Sequence, residues 1–295
     1  MPTLKWVVAP TSRARGVGQT VTMATAALPS IDVLTTNGSD SVFATATAGA
    51  LERPVRVFEH EPDLLHNLTP RAAKLAWHLG VADSTILEEG RLIPPDQRSL
   101  GRGALGLLVL DGMLARSVGF GMRRTPELIG EGDLLRPWEA DPVAGLVAIE
   151  SEWTVLQRAT VALLDERFAH RICRVPGLSA ALLGRAVQRV RWFAFHVALG
   201  QVRRAEPRLL LLLWHMADRW GRVTPDGVHV PVRLTHALLA SLVCMRRPTV
   251  SAALVALRQA SELQRAPDRT WLLTGAPPEL ERIHESWPRP RQSPE

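Results

Sequence analysis

The spacing of apolar residues changes character several times along the chain. Residues 1 to about 50 mix Thr, Ala, Ser and Gly with few large apolar side chains and no sustained period. That texture reads as an extension, disordered or an overlong start to the reading frame, spanning 1–53. Order is expected from Pro54. Thr69 can cap a helix that runs to about Leu79, with Pro70 in its first turn. From Ile86 to about Ile149 short apolar segments are cut by turn residues. Leu107-Leu108-Val109-Leu110 meets Asp111-Gly112 before Met113-Leu114-Ala115. An Asp-Gly pair between two such runs predicts a hairpin, because a type I′ turn needs positive φ at both central residues. Leu128 to Leu135 predicts a strand broken at its glycines, and Val143 to Ile149 and Trp153 to Val161 add further strands. Many brief strands at this spacing predict a β-barrel or roll rather than a parallel sheet.

After Asp165 the period becomes helical. Leu183, Ala186, Val190, Phe193, Val197 and Gly200 alternate three and four residues apart, the seam of a heptad repeat. It spans only two to three heptads, so it fits a subunit interface and a core-facing helix of one monomer alike. A second helix opens at Glu206-Pro207 and closes at Gly221, with Leu209, Leu210, Leu213, Ala217 and Trp220 on one side. Pro225-Asp226-Gly227 then turns a hairpin within Val223 to Val232.

Leu234 to Gln259 reads LTHALLASLVCMRRPTVSAALVALRQ. Thr235 can cap a short helix that buries Leu239, Leu242 and Val243, with small Ala240 where a second helix crosses. Cys244-Met245-Arg246 is a break, although the turn lacks the glycine often found at the Cys244 position. Pro248 restarts a helix whose Val250, Ala253, Leu254 and Leu257 form one buried stripe. Two short helices joined by a tight turn predict a helix-turn-helix. The opposite face carries Arg246, Arg247, Thr249, Ser251 and Ala252. In such motifs that end enters the major groove, where arginine pairs bidentately with guanine. The hydroxyls of Thr235 and Thr249 suit phosphate contacts, which set register rather than sequence preference. Leu263 to Ala266 and Trp271 to Leu273 flank Pro267-Asp268-Arg269, a two-stranded wing that leaves Arg265 and Arg269 available to the DNA backbone.

Composition narrows the reading. Lys+Arg 35 against Asp+Glu 29 gives +6, and every basic residue except Lys5 and Lys74 is arginine. The excess suits a polyanion, because neutralising phosphates releases counterions; a GC-rich genome leaves the same arginine bias. Two cysteines, Cys173 and Cys244, build neither a disulfide framework nor a zinc cluster. The longest apolar run, Leu209 to Trp214, is far short of the roughly 20 residues of a membrane helix. With no secretory signal, the expectation is a soluble, cytoplasmic protein without a membrane partner. The pairs Glu88-Glu89 and Asp165-Glu166 are adjacent in sequence, as in solvated turns or helix ends, and no phosphate loop, zinc spacing or nucleophile elbow accompanies them. An enzyme is not expected.

Across residues 54 to 285 the chain resembles the Crp/Fnr group of transcription regulators related to the cyclic AMP receptor protein. Leu234 to Gln259 carries the resemblance, with the approach Arg219-Trp220-Gly221-Arg222-Val223-Thr224-Pro225-Asp226-Gly227 and the roll segments Leu107 to Gly112 and Gly130-Glu131-Gly132-Asp133. The resemblance implies an α+β fold: a cyclic-nucleotide-binding-type β-roll at 54–175, a dimerisation helix at 176–205, and a winged helix-turn-helix at 206–295 with its recognition helix at about 247–258. It implies a homodimer on double-stranded DNA, with RNA polymerase as a further candidate partner. Arg247, Pro248 and Ala252 fall where relatives contact bases, and Thr235 and Thr249 where they face phosphates. Relatives that bind cyclic nucleotides carry Gly-Glu-Leu-Ala followed by Arg-Ser-Ala or Arg-Thr-Ala. Here Leu134-Leu135-Arg136-Pro137-Trp138-Glu139 follows Asp133, so no cofactor is expected and the effector is left open. No N-terminal cysteine cluster is present for iron and sulfur, and His196 and His215 read as packed or surface residues rather than haem ligands. The alternative is a sensor or protein-interaction module whose winged helix no longer reads DNA, to which Cys244 and Pro248 point.

Overall fold

The computed structural model describes residues 45–46, 53–95, 100–120, 123–138, 150–266 and 268–278. Every described residue lies in one compact unit within Val42–Glu295. Most of the expected extension and the strand expected at 143–149 lie outside the described residues. Thr45–Ala46 (β1), inside that extension, pairs parallel with Gly90–Leu92 (β4), so this part of it joins the sheet.

Eight strands form the roll. Arg53–Arg56 (β2) pairs with Val81–Leu87 (β3), and β3 and β4 both lie against Glu150–Leu164 (β8). Gly106–Phe120 (β5) pairs with β8, with Arg123–Gly130 (β6) and with Leu134–Leu135 (β7). All these pairings are antiparallel, as the roll reading requires. Two strands are not brief, however: β5 and β8 each run 15 residues. The hairpin expected at Asp111-Gly112 is also corrected. β5 passes straight through it, and the pairing with β8 shifts between Val109 and Asp111 and again between Asp111 and Met113. Gly112 takes φ +90, and a Cβ there would lie 2.3 Å from the Arg158 carbonyl. The dipeptide supplies a bulge, which uses the same left-handed glycine as a turn.

Leu107 to Leu110 are buried on both faces of β5. One side packs with Leu114, Ile129, Trp153 and Val161 in the roll interior. The other packs with Val57 and Phe58 of Val57–His60 (α1) and with Phe168, Ile172, Leu178 and Leu182. The same cluster takes in Ala76 of Pro70–Leu79 (α2), capped by Thr69 as expected, and Phe168 and Ile172 belong to Glu166–Ile172 (α3), capped by Asp165.

Pro176–Leu199 (α4) crosses from the roll to Ala205–Trp220 (α5). The helix stops at Leu199, short of the expected 205. Arg208, 8% exposed, holds this corner by donating to the carbonyls of Gly200 (2.8 Å), Val202 (2.5 Å) and Val243 (2.9 Å). Buried charge also ties α4 to the roll. Arg189 makes a two-pronged pair with Glu127 (2.8 and 2.9 Å), and Arg185 reaches Glu61 at 2.7 Å. Arg219 of α5 meets Asp133 at 2.6 Å and stacks over Trp192 and Trp220. The Asp133 carboxylate also accepts from the Gly130 amide, which fixes the turn that receives Arg219.

Two stability outcomes follow from these groups. Arg208→Met leaves three carbonyls without their donor and should cost about 3 kcal/mol in denaturant unfolding. Burial pushes the Glu61 carboxyl up to about 7, against the lowering pull of Arg185, with Glu131, Asp63 and Asp133 raising it further. The folded chain therefore binds an extra proton between the ordinary 4.5 and about 7, so stability falls as pH rises through that window. Glu61→Gln should raise the thermal midpoint at pH 8 by roughly 2–4 °C, and the difference should close near pH 4.5.

Candidate nucleic-acid interface

The C-terminal half is built on one core. Leu209, Leu210, Leu212, Leu213 and Met216 of α5 pack with Val230, Leu239, Leu242, Val250, Leu254, Leu257, Trp271 and Leu273. Arg222–Thr224 (β9), Gly227–Val230 (β10), Trp271–Leu273 (β12) and Leu263–Arg265 (β11) form a four-stranded antiparallel sheet in the order β11-β12-β10-β9. The hairpin at Pro225-Asp226 and the two-stranded wing both form where the sequence places them; Pro267 lies outside the described residues.

His236–Leu242 (α6) begins behind Thr235, whose hydroxyl accepts from the Leu238 amide at 3.1 Å. Arg247–Gln259 (α7) follows after the break, with Pro248 in its first turn. The two helices meet at 102°, inside the range of the helix-turn-helix. Cys244 takes φ +50, the left-handed turn conformation that glycine fills most easily. The turn therefore closes without its glycine, at the cost of a strained residue.

α7 is two-faced. Val250, Ala253, Leu254 and Leu257 are buried, none more than 3% exposed. Arg246, Arg247, Pro248, Thr249 and Ala252 are all exposed, together at the N-terminal end of the helix, and Thr235 is exposed at the start of α6. Arg265 and Arg269 are exposed on the wing, Arg265 resting over the Trp271 ring at 5.5 Å. Ser251 stands apart from this group. It is half-buried, and its hydroxyl lies 2.9 Å from Nδ1 of His236. His236 escapes a periodicity reading, because its partner lies 15 residues away and is brought near only by the helix crossing. The sequence signal that could have found it is its position directly after the capping threonine.

The seam on α4 is equally clear. Leu183, Ala186, Val190, Phe193, Val197 and Gly200 are exposed, with Leu183, Val190 and Val197 each at least 65% so. The other side of the helix supplies the buried Leu178, Leu182, Trp192 and Leu199. The stripe therefore does not face the core of this chain.

His196 and His215 are packed against aromatics. Trp192 and Phe195 stack on the His215 ring at 4.5 and 3.8 Å, and His196 Nδ1 meets the Trp192 carbonyl at 3.1 Å. Burial pushes His215 down to about 4, with His196 and Arg219 lowering it further. Among the described residues no group of three or more His, Cys, Asp or Glu could hold a metal ion, and no single helix is long and apolar enough to cross a membrane. Cys173 and Cys244 are both free thiols.

Residues 207–282 match the family model of the Crp-like helix-turn-helix domain. No curated protein matches the chain by sequence. Among solved structures, FixK2 from Bradyrhizobium japonicum is similar at 16% identity and TM-score 0.50, covering 69% of this chain and 96% of its own. A cyclic nucleotide-binding domain containing protein from Listeria monocytogenes EGD-e is similar at 14% identity and TM-score 0.51, covering 65% and 88%. A CooA variant from Carboxydothermus hydrogenoformans gives 16% identity and TM-score 0.49 over 82% and 99%. Residues 207–282 thus match a Crp-like helix-turn-helix domain, and over about two thirds of its length the chain shares the fold of FixK2 and of the Listeria protein.

Proposed function

We propose that the chain works as a homodimeric, sequence-specific DNA-binding transcription regulator acting in the cytoplasm on a pseudo-palindromic site. The observation that carries this reading is the α7 tip. Its apolar stripe is consumed by the core, which leaves Arg246, Arg247, Pro248, Thr249 and Ala252 turned together to solvent. Arg247 and Ala252 are assigned to base edges, Thr235 and Thr249 to phosphates, and Arg265 and Arg269 of the wing to the flanking backbone. Pro248 offers no hydrogen-bond donor where relatives read a base, so it contributes by shape.

Dimerisation is assigned to α4. A row of exposed Leu, Val and Phe at heptad spacing is costly in water and inexpensive against a second copy, since each fully buried side chain is worth about 1.5–3 kcal/mol. Pairing through one long helix would set two α7 tips about one helical turn of DNA apart. No cyclic nucleotide is assigned, because the run after Asp133 has neither the Gly-Glu-Leu-Ala nor the Arg-Ser-Ala or Arg-Thr-Ala stretch that holds ribose and phosphate in the relatives.

Selecting bound sequences from a random DNA pool, with and without cyclic AMP, tests the reading. An enriched two-fold motif, unchanged by the nucleotide, is expected. Tight binding to a protein partner with only sequence-blind DNA affinity would favour an interaction module instead. On the selected DNA, Arg247→Ala should weaken binding by about 1–3 kcal/mol in fluorescence anisotropy and relax preference at one base pair per half-site. Val190→Glu places a carboxylate in the seam and should shift the chain from dimer to monomer in sedimentation analysis, weakening operator binding while the thermal midpoint of the roll stays close to that of the parent.

A further inference from the structure

We propose that His236 is a DNA-backbone contact that takes up a proton on binding, with Ser251 of α7 holding its ring. The inference deepens the DNA-binding reading above and rests on it. His236 is the first residue of α6, directly after the exposed capping Thr235. Its Nδ1 lies 2.9 Å from the Ser251 hydroxyl, one turn along the same α7 tip that presents Arg247 and Thr249. When that hydroxyl donates to Nδ1, the ring proton sits on Nε2. Nε2 has no partner among the described residues and is not among the buried unpaired atoms, so it reaches solvent. A half-buried imidazole with one nitrogen clamped to the recognition helix and the other open is placed to donate to a phosphate of the strand that α7 engages.

The electrostatics of the free chain oppose charge on this ring. Burial lowers its proton affinity, and the nearby Arg265 of β11 and Arg247 of α7 lower it further. Strand β6 also packs on α6, and among its described side chains none adds a charge that acts on the ring. The two arginine effects weaken in a complex, and a direct phosphate contact offsets the burial that remains. The negative field of the duplex offsets Arg247 at the base edges and Arg265 at the flanking backbone, and one phosphate oxygen meets Nε2–H directly. The ring then binds a proton from bulk water that it does not hold in the free chain at neutral pH. Because the complex carries the extra proton, affinity rises as pH falls through the value of the bound ring. The contact is also sequence-independent, so it is read on any duplex.

The test uses the full chain and a fluorescent mixed-sequence duplex of about 30 base pairs, titrated at pH roughly 6 and 8 across a salt series. The parent should gain about fivefold more affinity between the two pH values than His236→Gln gains. His236→Arg, charged at both, should bind tightly at both and lose the excess pH dependence. At the lower pH the parent's log–log salt slope should be steeper than that of His236→Gln by about 0.9, the release of roughly one counterion. The same pH profile in parent, His236→Gln and His236→Arg would overturn the inference while leaving the DNA-binding reading intact. If His236→Gln does not fold, the comparison of parent with His236→Arg decides alone. Absence of duplex binding by the parent at either pH would overturn both.

Discussion

Burial of one stripe of α7 is the constraint on which the rest of the molecule depends. Val250, Ala253, Leu254 and Leu257 sit against α5, α6 and the wing, and a helix that commits those positions has no freedom left about its own axis. The remaining face is then fixed: Arg247, Pro248, Thr249 and Ala252 point out because their neighbours point in. The break before it has its own constraint, since Cys244 holds a left-handed conformation to bring the two helices together at 102°. A helix pair that strains a non-glycine residue to keep this crossing is held by its packing and not by turn propensity.

The same core reaches into the roll. Met113, Ala115 and Leu128 of β5 and β6 are buried together with the α5 and α7 residues, so the sheet and the helix-turn-helix share apolar contacts. Three arginines add direction to that contact. Arg185 and Arg189 tie α4 to the roll, and Arg219 seats α5 on the turn that Asp133 holds. Burial raises the carboxyls of both Glu61 and Glu127 despite their arginine partners, so desolvation outweighs the attraction. These pairs fix where elements sit more than they add stability. Trp220 presses on Gly130 closely enough that a Cβ there would come within 2.9 Å of its ring. Glycine at 130 is therefore a condition of the docking.

Much of this was legible in the sequence, because periodic patterns report burial directly. The α7 stripe, the α4 seam, the caps at Thr69 and Thr235 and the wing are all set by residues within one or two turns of each other. What escaped was decided at long range. Asp111-Gly112 has the chemistry of a turn, yet β8 pairs with the strand on both sides of it and the glycine bends a continuous strand instead. Arg208 looks like a surface charge until three carbonyls from two separate segments converge on it. Ser251 falls on the side of α7 that periodicity assigns to solvent, and only the crossing of α6 turns it toward His236. In each case a local preference is outweighed by a partner that the fold delivers from elsewhere.

The most direct test of the central claim is a hydroxyl-radical footprint of the full chain on its selected DNA. The account predicts two protected half-sites with dyad symmetry, centred about 10 base pairs apart and lost together in Arg247→Ala. A single protected patch without symmetry, or protection unchanged when Arg247 is removed, would contradict it.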